Sequence, residues 1–361
     1  MKTTLLAFIL ILSGMPALAQ NKNENTKRRD DLDKPLVIAR QGSYFVGGDS
    51  KFFSPTSPSE PIGGEFTVNQ IYVQFQIPLE GTEHVPLVLV HGCCLSSKSW
   101  ETTPDGRMGW NEYFVRRNRS VYLLEQPSRA RSGFDASAII AVRDGKAPPS
   151  QLPLVRIETH EAAWANFRFG PSFGTPFQDG QFPIEAVAEF YKQLVPEVYS
   201  NPSGINPSLT NIATLAMNLK GVVLIGHSES GFLPEAVAMT NPSSIKGIIS
   251  IEPGSCPVMS AIQISSLAKI PTEVVFGDHL GDAQGVAGNW IPMYEDCKKF
   301  VQQLKDAGGD AEMMYLPMLG IKGNSHMLMQ DRNNLDLADL LLDWIDKHVE
   351  SRAAQPETGK R

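Results

Sequence analysis

Beyond its N-terminal stretch, the 361-residue chain has no run of about 20 consecutive apolar residues, so no later segment can be read as a membrane-spanning helix. It has only four cysteines. None is spaced C-x-x-C and none belongs to a Cys/His cluster, so no zinc site is expected and no metal is called for. Positive charge is also in short supply: 32 Lys and Arg stand against 39 Asp and Glu, a net charge of -7. That balance offers no footprint for a nucleic-acid backbone or an anionic membrane surface, and small neutral molecules suit it better. Internal repeats and low-complexity tracts are missing too.

What is present begins with an export signal. Lys2 precedes the apolar run Leu5 to Leu12, and Ala17-Leu18-Ala19 follows it. This pattern predicts a signal peptide over 1–19, cleaved before Gln20, and a secreted or periplasmic product. Residues 20–34 are polar and charged without periodicity and read as a flexible leader. The remainder, 35–361, is ordinary in length for one large domain with an insertion. In an exported chain four cysteines read as a disulfide framework with three connectivities.

From Ile71 apolar residues alternate (Ile71, Val73, Phe75, Ile77), as in a half-buried strand. Continuous apolar runs follow at 87–90, 121–124, 222–225, 248–251 and 274–276, which suit parallel strands buried on both faces. Helical spacing separates several of them, at 232–239, 294–304 and 335–345, so the fold class is α/β with a mostly parallel central sheet flanked by helices. Nearly a hundred residues lie between the strands at Val121 and Val222, far beyond a normal crossover. A cap insertion over about 134–207 is expected there, with a helix from Pro183 to Tyr199. Its Trp164, Phe167 and Phe169 are candidate substrate contacts, although an aromatic-rich insertion can equally form its own small core.

The strongest chemical signal is Gly226-His227-Ser228-Glu229-Ser230-Gly231, directly after a strand and before a helix. A sharp strand-to-helix turn needs small residues two positions on either side of the nucleophile. Gly226 and Ser230 meet that need for Ser228, whereas Phe232 would crowd the turn if Ser230 were the nucleophile. A serine hydroxyl needs a base within hydrogen-bond reach, oriented by a third group. In the α/β-hydrolase chain order of Ser, acid, His, the base is His326, in the loop after the last predicted strand. Two acids remain open, Glu252 at the end of one strand and Asp278 at the end of the next, and position alone slightly favours Asp278. The backbone N–H groups of Cys93, after the strand 87–90, and of Glu229, after the nucleophile, are the candidate oxyanion hole. Adjacent Cys93 and Cys94 could pair only through a strained eight-membered ring. Geometry alone prefers pairing each with Cys256 or Cys297.

Together, Gln41 to Gly48, His91-Gly92-Cys93-Cys94-Leu95, the stretch Trp100 to Trp110, Phe167-Arg168-Phe169-Gly170-Pro171, the serine hexapeptide, Glu252-Pro253-Gly254 and Gly323 to Met327 resemble the secreted bacterial carboxylesterases typified by an Alcaligenes esterase with a vicinal disulfide beside its active site. The resemblance implies an α/β-hydrolase fold with a cap and a Ser228, Glu252, His326 triad. It also implies a Cys93-Cys94 disulfide, which leaves Cys256-Cys297 as the second bridge, and activity on esters of bulky cyclic alcohols without a cofactor. The expected partner is a small ester, with no nucleic acid and no membrane, and a homodimer is compatible with the sequence. Glu229 departs from the family's neutral amide at that position, and a carboxylate pointing inward there would oppose an oxyanion.

Overall fold

The computed structural model describes residues 32–54, 63–199, 206–283, 285 and 288–353. The expected signal peptide and most of the leader lie outside the described residues. Contacts divide the chain into Met1–Leu36 and Val37–Arg361, and the second unit holds the sheet and every candidate site residue.

Its centre is an eight-stranded sheet in the order β1 (Ile38–Val46), β4 (Ile71–Pro78), β6 (Val121–Glu125), β5 (Leu87–Val90), β9 (Val222–His227), β10 (Ile245–Ile251), β11 (Thr272–Phe276) and β12 (Ala311–Tyr315). From β6 to β12 every pairing is parallel, while β4 runs antiparallel to both its neighbours. The interior strands β5, β6, β9 and β11 are buried at every residue. Helices cover both faces of such a sheet, which is why these strands read as unbroken apolar runs. Val90, Leu124, Leu224, Ile248, Val274 and Phe276 share one core cluster. Burying each such side chain stabilises the fold by about 1.5–3 kcal/mol. Among the described residues no helix is long and apolar enough to cross a membrane.

Two small sheets add to the expected architecture. β2 (Asp49–Phe53) and β3 (Gly64–Val68) pair antiparallel, and within the insertion β7 (Leu154–Arg156) pairs antiparallel with β8 (Glu197–Tyr199). β8 corrects the expected helix over 183–199, which shrinks to a 3-10 turn, Ile184–Ala186, and the short helix Val187–Tyr191. Pro196 is the physical reason. It disfavours helical geometry in the residue before it, and the Val195 N–H instead donates to the Cys94 carbonyl at 2.9 Å. The extended chain then delivers Glu197 into the interior, where it is buried.

All the loops that carry the candidate catalytic groups leave the carboxyl edge of the parallel strands: Cys93 after β5, Ser228 after β9, Glu252 after β10, Asp278 after β11 and His326 beyond β12. Cys256, four residues past Glu252, is bonded to Cys297 on the long helix Ile291–Asp306. The bridge closes a loop of sequence separation 41. On the chain-entropy model that closure stabilises the fold by about 4 kcal/mol. Replacing both cysteines by serine should therefore lower the unfolding free energy in urea by about that amount. A loss below about 1 kcal/mol would mean that the native state, and not the unfolded chain, sets the stability of this region.

Candidate active site

The turn after β9 holds Ser228 at φ 58°, a left-handed conformation uncommon for a residue with a side chain. The backbone turns that sharply because its neighbours are small. A Cβ on Gly226 would sit 2.2 Å from the Ser230 carbonyl oxygen, and one on Gly92 would sit 2.7 Å from the Ser228 Cβ. Ser230 fits where a glycine is usual because its hydroxyl is used: it donates to the His91 carbonyl at 2.6 Å and accepts from Gln126 at 2.8 Å. The elbow is thereby tied to the loop after β5.

His326 Nδ1 lies 3.2 Å from Glu252 Oε2, with both side chains fully buried. Donation of Nδ1–H to Glu252 leaves the lone pair on Nε2, which is buried and has no hydrogen-bond partner among the described residues. His227, adjacent to the serine, has its ring 4.8 Å from that of His326 and donates Nε2–H to the His326 carbonyl at 3.0 Å. Asp278, which position alone slightly favours, does not contact the imidazole. Its two oxygens accept from the Gly323 and His279 amides at 2.9 and 2.8 Å, so it fastens the loop that carries His326.

Sequence reasoning missed Arg168. This buried guanidinium donates to Glu252 Oε1 at 2.5 Å and to the Asp278 carbonyl at 2.8 Å, and lies over the Trp290 ring. The Gly277 N–H donates to the same Glu252 oxygen at 2.5 Å. Burial opposes ionisation of Glu252, but Arg168 and His326 outweigh it and hold the carboxyl at about 2. For His326 burial dominates and pushes the pKa below its usual value. Glu252 pulls it up, and Arg168, whose Nη1 is 3.4 Å from Nδ1, adds to the depression. The one sequence signal is a lone charge between Phe167 and Phe169.

Beside the elbow, the Cys93 N–H has no hydrogen-bond partner among the described residues, whereas the Cys94 N–H is taken by Glu197. Cys94 is left-handed at φ 55°. The two sulfurs face each other 2.8 Å apart, inside the ordinary non-bonded contact of two sulfur atoms. The juxtaposed vicinal pair fits the resemblance. Glu229 does not stand alone: Arg129 Nη2 lies 2.8 Å from its carboxylate and 3.0 Å from Glu197.

The three aromatic candidates are almost wholly buried. Phe169 stacks on Phe182 at 3.9 Å and meets Phe190 edge-on at 5.1 Å, while Trp164 meets Phe169 at 6.0 Å. They form a core for the insertion. Phe167 also reaches the catalytic loop: its ring is 5.5 Å from the imidazole and its carbonyl accepts the His326 N–H at 3.0 Å. On the other side Trp290 packs 4.2 Å from the same ring.

Two outcomes are expected. A general base works only when neutral, so with His326 in the role expected of it activity should be present above its pKa and lost as pH falls through it. Removing the Arg168 cation relieves one cause of the depression, so the acid limb of kcat/KM in Arg168→Met should move to higher pH, with kcat reduced about tenfold or more. A lower kcat on an unshifted limb would leave Arg168 with packing alone. Glu229→Gln should keep kcat/KM within about threefold of the parent, whereas Arg129→Met, which unmasks a carboxylate beside the expected oxyanion hole, should lower it by about tenfold or more. Equal losses in the two variants would contradict this neutralising role.

No family model matches the chain. It is 25% identical over 330 residues to a probable secreted lipase, phiG, of a fungal species, which covers 79% of this chain and 88% of that protein. It is 47% identical to a bacterial esterase of known atomic-resolution structure, with a TM-score of 0.82, over 87% of this chain and 98% of the other. The chain belongs to the family of that bacterial esterase and is a carboxylic ester hydrolase of the α/β-hydrolase fold.

Proposed function

We propose that the chain is an exported serine carboxylesterase that works through an acyl-enzyme. The observation that carries this reading is the His326 ring, fixed by Glu252 on one edge and, among the described residues, unpartnered at Nε2 on the other, next to the strained turn of Ser228. His326 Nε2 takes the Ser228 hydroxyl proton as Oγ attacks the ester carbonyl, and the oxyanion accepts from the Cys93 and Glu229 amides. Collapse breaks the acyl–oxygen bond, and His326 returns its proton to the leaving alkoxide. Water, deprotonated by the same nitrogen, then attacks the acyl-enzyme, and the carboxylic acid leaves as Ser228 recovers its proton.

The insertion over about 134–207 acts as the cap in this reading. Phe167 and Trp290 flank the imidazole, and small-molecule sites are concave and mostly apolar, which supports enclosed substrates with bulky or cyclic alcohol parts. Export is supported by the N-terminal signal pattern and by the secreted lipase relative, and removal of residues 1–19 goes with it.

Ser228→Ala should lower turnover by about 10⁶-fold and abolish labelling by a fluorophosphonate probe. Labelling that persists in this variant rules out Ser228 as nucleophile. A panel of p-nitrophenyl esters set against esters of cyclic alcohols should favour the bulkier alcohols, and a preference for short linear ones would remove the proposed substrate class.

A further inference from the structure

The loop after β5 packs directly on the serine turn. A Cβ on Gly92 would sit 2.7 Å from the Ser228 Cβ, so the next amide, that of Cys93, stands beside the nucleophile. The residue that follows is held from two sides. Cys94 donates its N–H to Glu197 Oε1, and its carbonyl accepts the Val195 N–H at 2.9 Å. Cys94 is also left-handed, at φ 55°. Such backbone in a residue with a side chain persists only where its surroundings over-determine it, and it gathers at functional sites. Both restraints on Cys94 come from one short piece of the insertion, Val195-Pro196-Glu197, whose glutamate lies 103 residues further along the chain.

Glu197 is itself buried, and burying a charge is costly unless it is paired. Arg129 lies 3.0 Å from its carboxylate, and Arg156 stands opposite it in the β7–β8 register. The bond to the Cys94 amide is therefore charge-assisted, roughly twice as strong as one between neutral groups. A neutral side chain or a water would suffice merely to satisfy one amide. A buried carboxylate backed by arginine does more, because it fixes the direction of the bond as well as its existence.

We propose that Glu197 is a positioning residue for ester hydrolysis: by gripping the Cys94 N–H it locks the left-handed turn and so aims the Cys93 N–H at the oxyanion. This role rests on the reading of the Cys93 amide as an oxyanion donor. Only His91, Gly92 and Cys93 separate Cys94 from the end of β5. Any relaxation of the turn is taken up by those few peptides, which carry the donor. A displacement of about 1 Å at a reacting centre can cost about a hundredfold in rate. The insertion is then more than a cover, since one of its carboxylates completes the geometry of the loop beneath it.

The test is kinetic and uses the full chain with a p-nitrophenyl ester, with circular dichroism and thermal unfolding on each variant. Glu197→Asp keeps the charge but falls one methylene short, and Glu197→Ala removes the group. Each should lower kcat about thirtyfold or more with KM within about threefold of the parent. Glu197→Gln keeps an acceptor at full reach and should hold kcat within about tenfold of the parent. A trifluoromethyl ketone, whose serine adduct places an oxygen where the oxyanion forms, should lose affinity in step with kcat. Released p-nitrophenol forms no such adduct and should inhibit every variant as it inhibits the parent. Higher kcat in Glu197→Asp than in Glu197→Gln would overturn the proposal, because charge and not reach would then matter. So would a lower Tm with kcat unchanged, or a lower kcat with the affinity for the ketone unchanged. If Ser228 of the parent takes no fluorophosphonate label, the serine mechanism has failed and this role falls with it. A labelled parent whose kcat is indifferent to all three substitutions sinks the role of Glu197 alone.

Discussion

The site is organised by one buried carboxylate. Glu252 is shut off from water, and it stays ionised because three donors converge on it: the Arg168 guanidinium, the Gly277 amide and the His326 ring. Each comes from a different part of the chain. Arg168 belongs to the insertion, Gly277 to the end of β11, and His326 to the loop beyond β12. Satisfying this one charge therefore fixes where the insertion sits against the sheet edge and how the imidazole is turned. Removing any one donor would leave a buried anion short of a partner, a far larger penalty than the net worth of an ordinary hydrogen bond.

Around that carboxylate the remaining groups are held by backbone rather than by chance packing. Asp278 binds two amides and steadies the His326 loop, and Asp331 does the same further along by accepting from the Ser325 amide and hydroxyl. The Cys256–Cys297 bridge joins the segment after Glu252 to the helix that starts beside Trp290, which packs on both His326 and Arg168. Glu252, His326 and their aromatic support are thus mechanically continuous.

Sequence is a good guide here wherever structure is dictated locally. The interior strands announce themselves because both faces are apolar, and the elbow because a tight turn forces small residues at fixed spacing. It is a poor guide at the periphery. β1 is exposed at most of its positions, so its pattern carries little signal, and the helix expected to Tyr199 ends early because Pro196 outweighs the apolar spacing. Glu252 and Asp278 both end adjacent strands. Only the fold reveals that one faces the ring while the other is consumed by amides. Arg168 is illegible for the same reason, its partner being 84 residues away.

Cys94, Arg168, Ser228 and Glu252 all carry left-handed backbone, at φ 55°, 56°, 58° and 49°. For residues with side chains that geometry costs about 1–2 kcal/mol each, against a stability of about 5–15 kcal/mol for a whole domain. Glycine would relieve the strain at each of the four, but at Arg168 and Glu252 it would also leave a buried charge without its partner, a loss larger than the gain. At Ser228 no such penalty applies, and a laboratory selection for heat resistance alone would drift toward glycine there. Only a screen that demands turnover at each round would keep the hydroxyl.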